Sequence, residues 1–254
     1  MAQSRLHAVY ELGQSIWYDN IRRSVITSGE LRRLMDQDAV VGVTSNPTIF
    51  EKAIDGSTDY DAAIKSLVSR GVTDGKAVFE ALAIEDIQAA ADILRPLYDR
   101  TRGHDGFISL EVSPGAAHST RETIAEARRL WQRVSRPNAM IKIPATAEGI
   151  PAIEHMIYEG VNINVTLIFA LDVYARVAQA YIRGLELRQQ EGQPLEGIAS
   201  VASFFVSRVD TAVDALLAER GEAAVKANNY DLAANLVDLN GRAAVANAKL
   251  AYAA

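Results

Sequence analysis

Short apolar segments alternate with longer stretches of helical periodicity along most of the chain. Six segments have the length and alternation of buried strands, and they are SIWYDN (15–20), AVVGVTSNP (39–47), GFISLEV (106–112), NAMIKIP (138–144), GVNINVTLIF (160–169) and GIASVASFF (197–205). Helical patterns fill 27–37, about 58–100, 119–134, 148–158, 171–190, 206–220 and 241–254. A strand followed by a helix, repeated, predicts βαβ units around a parallel sheet.

Two of the predicted helices begin with a capping signal. Ser119 and Glu122 have the spacing of a capping box, in which each side chain bonds the main chain of the other residue. Thr27 and Glu30 have the same spacing, so we expect the same kind of helix start there.

The alternation of side chains separates the two faces of each predicted strand. In NAMIKIP, one face carries Ile141 and Ile143, and the other carries Met140, Lys142 and Pro144. In GFISLEV, one face carries Ile108, Leu110 and Val112, and the other carries Phe107, Ser109 and Glu111. In GVNINVTLIF, one face carries Ile163, Val165 and Leu167, and the other carries Asn162, Asn164 and Thr166. In a (β/α) barrel, active-site residues lie at the carboxyl ends of the strands. The pattern therefore predicts a site at the mouth of a barrel that contains Glu111, Lys142, Asn164 and Thr166.

Lys142 is unusual because it interrupts an apolar strand. Desolvation in a barrel interior would lower its pKa, and a neutral amine attacks carbonyl groups to form a Schiff base. The resulting iminium would draw electrons from a neighbouring C–C bond, and carboxylates would have to move protons. Glu111 and Asp19 are the candidates, both at late strand positions. The alternative is a structural Lys–Glu pair inside the barrel, which the pattern alone slightly favours.

Two further motifs carry weaker signals. TSNPT (44–48) is typical of a turn that ends a strand, because Pro47 restricts Asn46 to extended geometry. Ser203 and Arg208 follow a predicted strand and open a helix, an arrangement that suits phosphate binding. An N-cap with a surface salt bridge explains Ser203 and Arg208 about as well.

Composition narrows the classes of function. The chain has 254 residues, a net charge of −6 and no cysteine, which excludes thiol nucleophiles, zinc–thiolate sites and disulfides. The histidines have no metal-ligand spacing, so we expect no metal; they are His7, His104, His118 and His155.

The acidic balance disfavours nucleic acid as a partner, and no segment is long and apolar enough to span a membrane. With no signal peptide at the start, we expect a cytoplasmic location.

Five motifs together resemble those of bacterial transaldolases. They are VGVTSNPTIFEKAI, FISLEVSPG, NAMIKIPAT, VNINVTLIFALDVY and SVASFFVSRVD, in the order and spacing of that family. The variant resembled is the longer one, which is also found fused to a glucose-6-phosphate isomerase domain.

The resemblance implies a fold and a reaction. The fold is a (β/α)8 TIM barrel of the class I aldolase type. The reaction moves a dihydroxyacetone unit from sedoheptulose 7-phosphate to glyceraldehyde 3-phosphate, giving erythrose 4-phosphate and fructose 6-phosphate in the non-oxidative pentose phosphate pathway. Sugar phosphates would be the substrates and no cofactor is implied. A monomer and a homodimer both stay open.

The resemblance also implies catalytic roles. Lys142 would form the Schiff base, and Glu111 would activate a water molecule that carries protons. Thr166 would position that water. Asp19 would accept and return the proton of a sugar hydroxyl during C–C cleavage.

The implied substrate contacts involve five other residues. Asn46 and Asn164 would contact sugar hydroxyls, while Ser203 and Arg208 would bind phosphate. Phe205 would lie in the site, where the shorter relatives that only cleave fructose 6-phosphate have tyrosine.

Two other functions are open. Those shorter aldolases also have glutamine where this chain has Glu111, so Glu111 and Phe205 favour transfer over simple cleavage. The family's seventh and eighth strands would follow the segment AAVANAKLAYAA and are not in the sequence. We therefore expect one (β/α) barrel domain over 1–254, truncated at its C-terminus. An inactive truncated barrel with a binding role is the third interpretation.

Overall fold

A computed structural model describes residues 4–253. It contains six strands, which are β1 (Ile16–Tyr18), β2 (Val40–Val43), β3 (Phe107–Glu111), β4 (Ala139–Pro144), β5 (Ile163–Ile168) and β6 (Ser200–Phe204). They form one parallel sheet in chain order, with helices in every crossover. This α/β arrangement confirms the predicted parallel sheet and corresponds to part of a (β/α) barrel.

The helices cover the outer side of the sheet. They are α1 (Arg5–Glu11), α2 (Arg23–Thr27), α3 (Glu30–Asp38), α4 (Pro47–Asp55), α5 (Asp61–Ser69), α6 (Gly75–Arg100), α7 (Thr120–Val134), α8 (Gly149–Tyr158), α9 (Leu171–Gln190), α10 (Ser207–Lys226), α11 (Tyr230–Val237) and α12 (Ala243–Ala253), with a short 3-10 helix at Pro114–Ala116. Among residues 4–253, no helix combines the length and the apolar character needed to cross a bilayer.

One of the two predicted helix starts is confirmed and the other is wrong. The Ser119 hydroxyl caps α7 by accepting a hydrogen bond from the Glu122 amide at 3.3 Å, but the Ser119 amide donates to the carbonyl of Ala116 and not to Glu122, so only half of the capping box forms. Thr27, in contrast, is the last residue of α2, and α3 begins at Glu30. Gly29 separates them with a left-handed φ of 81°, a conformation that glycine adopts without steric cost. Spacing alone does not reveal that break.

Sequence reasoning also missed some helices. The predicted turn around Asn46 is the start of α4, because the Asn46 side chain accepts a hydrogen bond from the Ile49 amide at 3.0 Å. Pro47 follows at the first helical position, where its fixed φ suits a helix. The stretch predicted as helical over about 58–100 is divided into α5 and α6, and α1 and α11 carry no prediction.

The apolar core lies between the strands and the helices. The outward-facing strand residues form one buried cluster with the helices, and they are Ile108, Leu110, Val112, Ile141, Ile143, Ile163 and Val165. Helix residues such as Leu94, Leu130 and Ile153 belong to the same cluster. Burying each large aliphatic side chain contributes about 1.5–3 kcal/mol. This layer therefore determines which face each strand turns inward.

The predicted alternation is wrong at the end of β5. Val165 pairs with Ala202, but Ile168 pairs with Phe204, so β5 has one residue more than β6 over this stretch. Leu167 absorbs the extra residue with a φ of 60°, which is rare for a residue other than glycine. As a result Ile168 enters the core, whereas Leu167 is 36% exposed.

β1 and β2 approach each other closely at Trp17 and Gly42, which are register partners. A Cβ atom at position 42 would lie 2.4 Å from Cε2 of Trp17. Glycine therefore lets the indole lie directly on the backbone of β2. Beyond this contact the Thr44 amide donates to the carbonyl of Tyr18 at 3.0 Å, which holds the end of β1 against β2.

Candidate active site

Three predicted site residues form one row across adjacent strands. Glu111 is the register partner of Lys142, and Lys142 is the partner of Asn164. Register partners in a parallel sheet project their side chains to the same face. Thr166 pairs with Pro144, one step closer to the carboxyl ends of the strands. The structure thus brings together the four residues that alternation placed at the mouth of the barrel.

The Lys142 side chain points into the barrel. The residue is 7% exposed, and its Nζ donates to the main-chain carbonyl of Ser45 at 3.1 Å. The nearest carboxylate oxygen is Oε2 of Glu111, 3.6 Å from Nζ. Direct hydrogen bonds between ammonium and carboxylate are about 2.7–2.9 Å long. Lys142 and Glu111 therefore form a close charge pair without a tight hydrogen bond.

Glu111 lies at the end of β3 in a largely buried position. Burial raises its pKa, the charges of Lys142 and Arg208 oppose this rise, and the charge of Asp19 adds to it. A carboxyl group whose pKa is moved towards neutrality is suited to general acid–base catalysis. Glu111 also borders a cavity of about 300 Å³ that Phe79 and Leu130 help to line.

Asp19 lies one residue beyond the end of β1, so its predicted position inside the strand is wrong. Its side chain is exposed. Because it follows the carboxyl end of β1 in a parallel sheet, it lies at the same end of the strands as Glu111.

A buried cluster secures the segment that follows Asp19. Asp86 of α6 is 2% exposed and accepts hydrogen bonds from Arg23 Nε at 2.8 Å and from the Tyr60 hydroxyl at 2.7 Å. Burial raises the pKa of Asp86 and also that of Tyr60. Because Arg23 is the first residue of α2, the cluster holds the start of this helix against α6.

Asn164 links two serines across the inner face. Its Nδ2 donates to Ser109 Oγ at 2.9 Å, and its Oδ1 accepts from Ser203 Oγ at 2.9 Å. Ser203 lies inside β6, and the N-cap position of α10 is Val206. Both the predicted position of Ser203 after the strand and the N-cap interpretation are therefore wrong.

Arg208 lies in the first turn of α10, as the sequence predicts. Its guanidinium carbon is 4.8 Å from the ring centroid of Phe205. Phe205 in turn stacks on Phe169, with 5.1 Å between the ring centroids. Within residues 4–253 no carboxylate lies within ion-pair distance of Arg208, so the salt-bridge interpretation fails there, and the residue is exposed.

Asn46 follows Ser45 near Lys142, and it also has a structural role. Its side-chain oxygen caps α4, so its Nδ2 group and the second lone pair of that oxygen are left for another partner. Ser45, which precedes it, is fully buried and contacts Lys142 through its main chain. No sequence signal identified Ser45. Ser109 had one, because alternation placed it on the same face as Glu111.

Comparison with known proteins identifies relatives over almost the whole chain. The family model described as Transaldolase/Fructose-6-phosphate aldolase matches residues 16–254. Transaldolase 2 of Nostoc sp. (strain PCC 7120 / SAG 25.82 / UTEX 2576) is 47% identical over 252 residues, which is 99% of this chain and 65% of the relative.

Two other relatives give similar figures. The transaldolase of Saccharopolyspora erythraea is 50% identical over 253 residues, covering 99% of this chain and 64% of the relative. That of Thermobifida fusca (strain YX) is 49% identical over 251 residues, covering 99% and 65%. The chain thus spans about 65% of the length of the curated relatives it matches.

Proposed function

This chain belongs to the transaldolase/fructose-6-phosphate aldolase family, and from that premise we propose that it acts as a transaldolase. It would transfer a dihydroxyacetone unit from sedoheptulose 7-phosphate to glyceraldehyde 3-phosphate, in the pentose phosphate pathway. The observation that carries the proposal is a buried amine, Lys142, with the carboxylate of Glu111 3.6 Å away on the inner face of the sheet.

The first step would be formation of a Schiff base. The neutral amine of Lys142 adds to the ketose carbonyl, and the carbinolamine takes up a proton and loses water to give an iminium. Glu111 would move these protons through a water molecule positioned by Thr166.

The second step would be cleavage and transfer. Asp19 removes the proton of the sugar hydroxyl, the C–C bond electrons move towards the iminium nitrogen, and an aldehyde leaves. The enamine that stays on Lys142 then attacks the acceptor aldehyde, and the new alkoxide takes its proton back from Asp19. Hydrolysis of the iminium releases the product ketose and restores the amine.

Substrate binding would use the polar groups around this row. Asn164 and the free Nδ2 group of Asn46 would contact sugar hydroxyls. Arg208 and Ser203 would bind the phosphate, since a guanidinium makes strong paired hydrogen bonds with phosphate oxygens. Ser203 donates to Asn164 in the free protein, so its hydroxyl would have to turn towards the phosphate when substrate enters. Phe205 would support Arg208 through the ring contact.

The domain organisation and the closure of the barrel are part of the same proposal. We propose that residues 1–254 form one (β/α) barrel domain and that their six strands belong to a closed barrel of eight. The proposal is supported by the fraction of the relatives that the chain spans, about 65%, and by the consecutive parallel order of the strands. A cytoplasmic location stays a prediction, and so does the choice between monomer and homodimer.

Reductive trapping tests the function. Borohydride is added to the protein with fructose 6-phosphate, and peptide mass mapping locates the reduced adduct. We expect the adduct on the peptide that contains Lys142, and a folded protein without any adduct there would contradict the Schiff-base mechanism. Erythrose 4-phosphate is then added as acceptor in a separate assay. Formation of sedoheptulose 7-phosphate indicates transfer, whereas release of free dihydroxyacetone alone would indicate a simple aldolase.

A further inference from the structure

Ser45 makes two buried contacts that connect β2 to the row of site residues. Its main-chain oxygen accepts the hydrogen bond from Lys142 Nζ at 3.1 Å. Its own Oγ donates to the main-chain oxygen of Ser109 in β3 at 2.7 Å. The residue is 0% exposed, so water does not compete for either bond.

The position of Ser45 explains why its side chain is needed. The register pairing between β2 and β3 ends at Val43 and Ile108, and Ser45 lies two residues further on. Its hydroxyl therefore continues the link between the two segments where main-chain pairing has stopped. The next residue, Asn46, is held from the other side by the cap of α4. The peptide group between positions 45 and 46 is thus fixed at both ends.

We propose that Ser45 is a positioning residue that orients the nitrogen of Lys142 throughout the Schiff-base cycle. This inference rests on the proposed function and goes beyond it. The main-chain carbonyl of Ser45 holds Nζ, and the hydroxyl of Ser45 holds that carbonyl in place. A carbonyl oxygen only accepts hydrogen bonds. It therefore binds an N–H group of Lys142 and leaves the lone pair of the lysine nitrogen free to react.

The number of N–H groups on the nitrogen makes this acceptor suitable at every stage. The ammonium has three, the neutral amine has two and the iminium has one. With one N–H of the amine bound to Ser45, the lone pair points elsewhere, and attack on the ketose is oriented. In the iminium the single N–H bonds the same carbonyl, which fixes the plane of the imine. The bond is then charge-assisted and stronger.

Removal of the hydroxyl tests the proposal, because the carbonyl stays while its anchor is lost. We expect Ser45→Ala in the natural protein to lower kcat roughly 10- to 100-fold, since small misplacements of reacting groups have effects of this order. The KM for fructose 6-phosphate should hardly change. The rate of borohydride trapping at Lys142 should fall with kcat, and Ser45→Thr, which keeps the hydroxyl, should recover much of the loss.

Ser200→Ala is the matched control. The Ser200 hydroxyl donates to the main-chain oxygen of Ile163 on the adjacent strand at 2.9 Å, the same kind of bond with no link to Lys142. We expect wild-type kcat in this variant. The proposal fails if folded Ser45→Ala has wild-type kcat and trapping rate, or if Ser200→Ala loses as much activity as Ser45→Ala.

A crystal structure of the wild-type adduct after reduction gives a second test that needs no variant. We expect Nζ of Lys142 to stay within hydrogen-bonding distance of the Ser45 carbonyl oxygen. An adduct whose nitrogen has turned away would overturn the role of Ser45 but leave the Schiff base intact. Failure of the wild-type protein to form any adduct would overturn the proposed function, and this inference with it.

Discussion

Nζ of Lys142 lies 3.6 Å from Oε2 of Glu111, and the two residues are register partners on adjacent parallel strands. The hydrogen bond of the lysine goes to a main-chain carbonyl instead. The pair is therefore close enough for each charge to affect the other, yet the amine is not locked to the carboxylate. This geometry suits a lysine that must lose its proton in order to react.

Replacement of Lys142 by arginine separates chemistry from structure. Lys142→Arg keeps a positive charge beside Glu111, but a guanidinium does not form the Schiff base, so we expect turnover to fall roughly 1,000-fold or more. Lys142→Ala should be equally inactive. Both are measured as kcat with fructose 6-phosphate and erythrose 4-phosphate, and Lys65→Ala, on an exposed face of α5, is the control. Substantial activity in Lys142→Arg would support the purely structural Lys–Glu pair.

Glu111→Gln should separate sugar capture from proton transfer. In the wild-type protein only ionised Glu111 can take a proton from water, so the rate should rise as pH rises through its raised pKa. Glutamine cannot titrate, and this limb of the pH–rate profile should disappear together with most of the activity. The variant should still bind sugar, but borohydride should trap it on Lys142 more slowly, because Glu111 also moves protons during formation of the iminium. Full turnover in the variant, or an unchanged acid limb, would remove Glu111 from the mechanism.

Arg208→Gln tests phosphate binding. Loss of a charged hydrogen bond to phosphate costs about 1.5–3 kcal/mol, so we expect KM for fructose 6-phosphate to rise roughly 10- to 100-fold. With fructose as donor, which has no phosphate, wild type and variant should perform alike. Arg220→Gln changes another exposed arginine on α10, three turns further along, and serves as the control. Equal losses with both donors would argue against a phosphate role.

Tyr60→Phe tests the buried cluster around Asp86. The variant removes a donor from a buried carboxylate, and we expect a loss of about 1–3 kcal/mol in the free energy of unfolding. The pKa of Asp86 is already raised by burial, and the Tyr60 hydrogen bond counteracts that rise. A raised carboxyl pKa contributes stability that is present at low pH and is lost as pH rises through it. Without Tyr60 the pKa should rise further, so the loss of stability should grow with pH.

Urea unfolding at acid and neutral pH measures this effect. Tyr230→Phe is the control, because Tyr230 is 63% exposed and its hydroxyl donates to the side chain of Asn228, two residues away. We expect that variant to stay within about 0.5 kcal/mol of wild type. A pH-independent loss in Tyr60→Phe would contradict the coupling to Asp86.

The row of site residues was predictable because it depends on side-chain alternation. Alternation placed Glu111, Lys142, Asn164 and Thr166 on one face, and the observed register brings these residues together. The same rule failed at Leu167, because a single extra residue in β5 reverses the faces beyond it. Such a bulge depends on how β5 pairs with β6, and the sequence of one strand does not contain that information.

The wrong prediction at Thr27 and the failure to identify Ser45 have different causes. Thr27 and Glu30 do have the spacing of a capping box, but the left-handed conformation of Gly29 makes α3 start at Glu30. Ser45 contributes through its main-chain oxygen, and every residue has one. Only the three-dimensional contacts show that this particular carbonyl faces the lysine.

The contact between Trp17 and Gly42 has a consequence for catalysis. With any side chain at position 42, the indole would have to retreat by about 1 Å to restore ordinary carbon–carbon contact. Asp19 follows two residues after Trp17, so a displaced indole would disturb the segment that carries the carboxylate proposed to deprotonate the sugar hydroxyl. Glycine at position 42 thus affects the placement of a proposed catalytic carboxylate, which lies two residues beyond the indole that this glycine accommodates.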